Sequence, residues 1–469
     1  MLPDDPMLHL LRRATYGPTS ASIAEVRRLG ASAWLERQLH PASIADPVAD
    51  ELIGRFPHVN DTIAGVRRKV VTGTLKKHSW EPMWQLAMAA VGRAIWSERQ
   101  LFEVMSDFWS NHLNVTCPSG DVWDSRADYD RNVIRKHALG RFADLLKASA
   151  RHPAMLTYLD NRCSTRAAPN ENYGRELLEL HTVGLAYTEA DVKNAARLLT
   201  GLTVNPDTGL YVYDPKRHAT GAVRVLGFRH ANATAGVGEA ASLALLDYLA
   251  MHPATARRIV TKLCVRFVAD EPPAPLITRL VKVYLDGRTA IAPVLRALFG
   301  SAEFAASIGA KTRTPFEDLA ATVRVLGLGP EPAGTKAVES LYNMCRNAGQ
   351  PPMGWAPPNG YPDVASAWAS PSGQLTRWNM HLSLAAGWWP TTLVRPSFAV
   401  AGATTYGELI DSVSVRLLGC TLGTRQREAL AAFYGKTTTT RLKPADPALG
   451  WLFPYLMAML LNSPSFARR

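Results

Sequence analysis

Apolar residues along this chain recur mostly at the three- and four-residue spacing of amphipathic helices, and rarely alternate as they do in strands. Ser22 and Glu25 stand at capping-box spacing before Val26 and Leu29, with Gly30 as a stop. Ser32 then opens a second helix that carries Trp34, Leu35, Gln38 and Leu39 and ends before Pro41. Residues 84–113 predict one or two long, largely apolar helices, and 141–151 another that stops at Pro153. Further helices are expected over 170–183, 189–202, 238–251, 253–268 and 274–285. The best strand signal is residues 209–213 with 223–226, read as one small hairpin. The expected fold class is therefore predominantly α: a multi-helix single domain or two helical lobes, with long ordered loops and a minor β-hairpin.

Between these segments lie irregular stretches at 118–129, 161–169, 205–232, 350–372 and 436–446. The stretch 350–372 carries Pro351-Pro352, Pro357-Pro358, Asn359-Gly360 and Pro371, turn chemistry dense enough to predict an ordered wall rather than a helix. The stretch 205–232 is long for a loop, and loops of that length commonly have a role.

Bulk composition narrows the classes. At 469 residues the chain can bury a large core, and 47% hydrophobic with 20% charged residues is globular composition. The formal charge of +12 is scattered; its densest run, Arg67, Arg68, Lys69, Lys76, Lys77 and His78, has no aromatic interleaving, so no nucleic-acid partner is expected. The five cysteines, Cys117, Cys163, Cys264, Cys345 and Cys420, are far apart and form no C-x-x-C pair, which argues against a disulfide framework and fits a reducing compartment. Residues 1–6 carry no apolar signal core, and no uncharged run reaches membrane-spanning length. A cytoplasmic location and no membrane partner are expected. Phosphate-loop, nucleophile-elbow and dinucleotide fingerprints are missing.

Several blocks carry a family resemblance. They are His9-Leu10-Leu11-Arg12-Arg13-Ala14-Thr15-Tyr16-Gly17, Phe108-Trp109-Ser110-Asn111-His112, Asp130-Arg131-Asn132-Val133-Ile134-Arg135, Tyr158-Leu159-Asp160-Asn161 and, most strongly, Asn170-Glu171-Asn172-Tyr173-Gly174-Arg175-Glu176-Leu177-Leu178-Glu179-Leu180-His181. In this order they resemble a large bacterial family catalogued as domain of unknown function 1800, with the likeness running from about residue 9 to residue 385. The resemblance implies a family-like helical domain over 1–395 and a helical extension over 396–469 packed on it. It implies no agreed reaction. Ser110 and Leu113 stand where the family usually has His and Phe. Ala219, after His218, stands where it usually has Asp, so a His-Asp pair is absent there.

On a helix starting at the N-cap Asn170, about 100° of rotation per residue puts Glu171, Arg175 and Glu179 on one face, with Glu176 beside them. This reads either as a solvated charge ladder or as a carboxylate cluster facing a pocket, in which Arg175 keeps one Glu ionised while burial protonates another. His181 falls nearly opposite Glu179, so those two do not share a metal from this helix alone. Asp160 ends a helix at the mouth expected for the same pocket. His112, His181 and His218 are the candidate metal ligands, without the spacing that would fix a zinc site. A divalent metal or iron is the cofactor they would take. His152-Pro153 and His252-Pro253 read as helix boundaries.

These observations predict an enzyme with a carboxylate/His acid–base pocket, acting by hydrolysis or group transfer on a polar or anionic small molecule or a glycan. Two alternatives stay open: a metal- or haem-dependent oxidoreductase, and a non-catalytic binding or scaffold protein. The 205–232 loop is expected to cover the pocket and carry His218 to its edge.

Overall fold

The computed structural model describes residues 5–398, 400 and 402–469, so the expectation for residues 1–6 falls mostly outside it. The chain is predominantly α-helical, with two small two-stranded antiparallel sheets.

Local chemistry sets the helix boundaries. The first capping box is Thr19 with Ser22, one turn earlier than Ser22 with Glu25: the Thr19 hydroxyl accepts from Ser22 N at 3.1 Å and Ser22 Oγ accepts from Thr19 N at 2.8 Å. Glu25 therefore lies inside the Ser20–Leu29 helix and turns outward, accepting from Trp34 Nε1 and pairing with Arg37. The 84–113 stretch is two helices, Glu81–Trp96 and Gln100–His112. Pro153 and Pro253 start helices, because a first-turn proline has no helical N–H to lose. In each case the preceding histidine is the N-cap: His152 Nδ1 accepts from Ala154 N at 3.1 Å and His252 Nδ1 from Ala254 N at 3.2 Å.

The expected strand pairing is corrected. Tyr211–Tyr213 pairs with Leu202–Val204, and Val223–Val225 pairs with Phe228–His230, so there are two local hairpins. The second closes through Leu226 and Gly227, both at positive φ (49° and 94°), the geometry a two-residue hairpin turn demands. A short turn closes at less entropic cost than a pairing across the whole loop.

The Pro315–Val325 helix is buried along its whole length. It carries Glu317 and Asp318 into the core, where basic side chains meet them: the guanidinium groups of Arg266 and Arg469 at Glu317 (2.5 and 2.6 Å), and the Arg377 guanidinium and the His381 ring at Asp318 (2.8 and 2.9 Å). The Pro371–Ala386 helix packs on this element and on Phe453–Leu461, and Thr312 bridges Arg468, so the C-terminal segment closes onto the body. Among the described residues no helix is long and apolar enough to cross a membrane.

Candidate active site

Two helices and the irregular 350–372 stretch surround a cavity of about 390 Å³. The Gln100–His112 helix turns Leu101, Val104, Met105 and Trp109 into the core. Its residues at i, i+4 and i+8, Glu103, Asp107 and Asn111, form a separate polar stripe, and Asp107, Asn111 and His112 line the cavity. The Pro253–Phe267 helix does the same with cations: Ile259, Val260, Leu263 and Phe267 are buried, and Arg258, Lys262 and Arg266 follow at four-residue spacing, the last two lining the cavity.

The stretch 350–372 is an ordered wall, as its turn chemistry predicts. Asn111 holds it like a strand partner: its Nδ2 donates to the Tyr361 carbonyl at 2.9 Å and its Oδ1 accepts from Tyr361 N at 2.6 Å. Asn114 donates to the carbonyls of Trp355 and Pro357, and Tyr158 Oη donates to that of Ala356. Gly360 sits at φ 74°, and a side chain there would collide with Asn111. Trp355 and Tyr361 pack with centroids 5.0 Å apart, giving the cavity an aromatic side.

The polar groups differ in how they are paired. Glu103 takes two bonds from Arg135 at 2.7 Å each. Asp107, one turn on, has no ion-pair partner among the described residues. Burial pushes its carboxyl up, Arg266 opposes this, the carboxylates of Glu317 and Asp363 add to it, and the result is about 6. Lys262 likewise has no carboxylate within ion-pair distance. Burial and the charge of Arg258 push it down to about 8. Its Nζ donates to His112 Nδ1 at 3.1 Å, and His112 Nε2 donates to the His181 carbonyl at 3.1 Å. This fixes the His112 tautomer; burial, reinforced by Lys262, keeps the ring neutral. Asp363 is held by Lys311 at 3.1 Å and approached by Arg266 at 3.7 Å.

The helix bearing the acidic motif is α only over Glu171–Glu176 and becomes a π-helix over Leu177–His181. Each π residue turns by less than 100°, so the helical wheel drawn from the sequence does not hold beyond Glu176. Two carbonyls at its end meet the cavity helices: Leu180 O accepts from Arg258 Nε at 3.2 Å and His181 O from His112.

The acidic residues of this helix do not line the cavity. Glu171 is exposed, Arg175 is paired with Glu189 at 2.7 and 2.8 Å, and Glu179 accepts from Tyr187 Oη at 2.5 Å. Glu176 is half-buried, and its carboxyl is pushed up by burial and then by Glu179. Asp160 is exposed at φ 57° and caps the short turn Asn161–Cys163.

Among the candidate ligands, His112 and His181 meet through a backbone carbonyl. The His181 ring is buried, its Nε2 has no partner, and burial lowers it to about 3. His218 stands apart and is buried, with Nδ1 2.7 Å from the Thr200 carbonyl and Nε2 2.8 Å from Asn232 Oδ1. Its imidazole ties the 205–232 loop to the body. Val204, Pro206, Asp207, Gly209 and Arg217, in and beside that loop, line a separate cleft of about 600 Å³. Among the described residues no three His, Cys, Asp or Glu side chains are grouped to hold a metal ion.

Asp107, Lys262 and Asp363 have no counterpart among the sequence-derived candidates. The available signal was polar residues at four-residue spacing within otherwise apolar helices: Asp107 with Asn111, and Lys262 with Arg266.

The model of a family described as protein of unknown function (DUF1800) matches residues 9–468, including the residues read as a C-terminal extension. No curated protein and no solved structure matches the chain. With nearly its whole length matched, the chain belongs to the DUF1800 family.

Proposed function

We propose that the protein is an enzyme that performs acid–base hydrolysis or group transfer on a neutral, polar substrate, a glycan first among the classes, in the cavity between the Gln100–His112 and Pro253–Phe267 helices. One observation carries the reading. Asp107 and Lys262, on different walls of one cavity, each lack an ion-pair partner among the described residues, and burial brings them to about 6 and about 8. At neutral pH the first is mostly carboxylate and the second mostly ammonium, the states a general base and a general acid require. Asp107 takes a proton from the attacking water or hydroxyl. Lys262, steadied by the neutral His112, gives one to the leaving oxygen.

The lining supports the substrate class. Asp107 and Asp363 offset Lys262 and Arg266 in formal charge, which favours a neutral ligand. Trp355, Tyr361 and Phe108 offer flat apolar faces, while Asn111, Gln350, Asn359 and Thr314 offer amide and hydroxyl partners. Glu171, Arg175, Glu176, Glu179 and Asp160 take no proton-transfer step in this reading. The described cysteines are all free, which supports a reducing compartment such as the cytoplasm.

The test is a panel of chromogenic glycosides and sugar esters. Any substrate the wild type turns over should lose at least about a hundredfold in kcat/KM with Asp107→Asn and with Lys262→Met. Full activity in both folded variants would refute the assignment.

A further inference from the structure

We propose that the Lys262 amine is also a nucleophile, capturing an aldehyde or ketone carbonyl of a polar substrate as an imine. The inference rests on the reading of this cavity as an active site and adds a covalent step to it.

The argument begins with what surrounds the amine. From the Gln100–His112 helix it meets His112, at 3.1 Å from Nδ1, and shares the cavity with Asp107. On its own helix the neighbours one turn away are cations, Arg258 and Arg266. From the wall come Tyr361 and Asp363, and Asp363 is already engaged by Lys311. Other lysines that are taken partly out of water are held by a carboxylate, as Lys311 is by Asp270 at 2.5 Å and Lys147 by Asp247 at 2.7 Å. Lys262 instead sits between like charges, against a neutral imidazole, in a partly apolar cavity, the setting that leaves an amine free to react. Its lowered pKa, about 8, agrees.

The chemistry closes without an oxidant or reductant. The neutral amine attacks the carbonyl carbon, a C–N bond forms, and the carbonyl oxygen takes a proton. The carbinolamine then loses that oxygen as water as the C=N bond forms. Two protons leave nitrogen and both end on the departing water; Asp107 carries them one at a time. The open-chain reducing end of a sugar offers such a carbonyl, so the proposal fits the neutral polar class read from the lining.

The test uses wild-type protein, glycolaldehyde as the probe and cyanoborohydride to trap imines, with peptide mass spectrometry to locate adducts. At pH 7 roughly a tenth of Lys262 is the free amine, against roughly one in a few thousand for an ordinary lysine. Lys262 should therefore be labelled at least about tenfold faster than the exposed Lys193 and Lys216. Asp107→Asn should slow labelling at Lys262 and leave those two unchanged. Labelling of wild-type Lys262 no faster than Lys193 would overturn the proposal, and an unaltered rate in Asp107→Asn would remove Asp107 from the step. The glycoside assay reports separately: adducts without turnover would sink the hydrolytic reading alone, and turnover without adducts would sink this one alone.

Discussion

Asp107 bears opposite consequences for chemistry and for stability. Held near 6 in the folded chain and near 4 when unfolded, its carboxyl retains a proton in the native state over the window between those values. Stability from this group is therefore fully present below about pH 4 and is lost as pH rises through about 6, by at most about 3 kcal/mol. Asp107→Asn should accordingly be more stable than wild type by roughly 1–3 kcal/mol at pH 8, with no difference near pH 4, in urea titrations at the two pH values. A variant that is no more stable at pH 8 would show that the carboxylate is better solvated than its burial implies. In the proposed reaction the same residue sets the acid limb: kcat/KM should follow a bell with apparent values near 6 and 8, the alkaline limb belonging to Lys262. The acid limb should vanish from whatever residual rate Asp107→Asn retains. None of this was legible from composition. An Asp four residues before an Asn on an apolar helix is a common pattern, and what sets Asp107 apart is the lack of an ion-pair partner among the described residues, which only three-dimensional neighbours define.

Among the secondary-structure elements, existence and type were largely readable, because three- and four-residue apolar spacing forces an amphipathic helix to bury one face. Pro153 reads correctly as a boundary: one helix ends at Ala150 before it, and the next starts at it because the His152 ring caps the new N-terminus. The misreadings have local causes. The acidic motif after Asn170 carries no visible mark of the change from α to π at Leu177, since that change is stabilised from outside, by Arg258 and His112 on the end carbonyls. The Gln100–His112 helix is fixed in turn by Glu103, whose two bonds to Arg135 tie it to the Asp130–Arg135 segment. Burial would raise the Glu103 carboxyl, but Arg135 outweighs burial and holds it below the usual range. Removing one partner leaves the other buried and unpaired, so Arg135→Ala should cost about 3–5 kcal/mol. Chemical denaturation should show that loss, and a cost under about 1 kcal/mol would mean that water reaches Glu103 once the guanidinium is gone.

Across the whole molecule, the cavity depends on contacts between segments far apart in sequence. Lys311 is the clearest. Buried, it reaches Asp270 after the Pro253–Phe267 helix, and both the carbonyl (2.7 Å) and the carboxylate of Asp363 in the wall. Lys311→Met keeps the volume and removes the charge, and should cost about 3 kcal/mol. It should also speed proteolysis within 350–370 before the rest of the chain is cut; cleavage distributed evenly would show that the wall has no separate attachment. The sequence predicted that this wall would be ordered, but its anchors Asn111, Asn114, Tyr158 and Lys311 lie between about 50 and 250 residues away and carry no pairing signal. Because the wall is fastened mainly at single side chains, with one backbone bond from Cys117 N to the Met353 carbonyl, and joins no strand ladder among the described residues, its aromatic face can be exchanged without rebuilding the helices that hold Asp107 and Lys262. In the proposed reading, most of the aromatic contact to a ligand and the proton-transfer pair thereby lie on different segments of the chain, so exchanging wall residues such as Trp355 should alter substrate choice and leave the two apparent pKa values of the reaction in place.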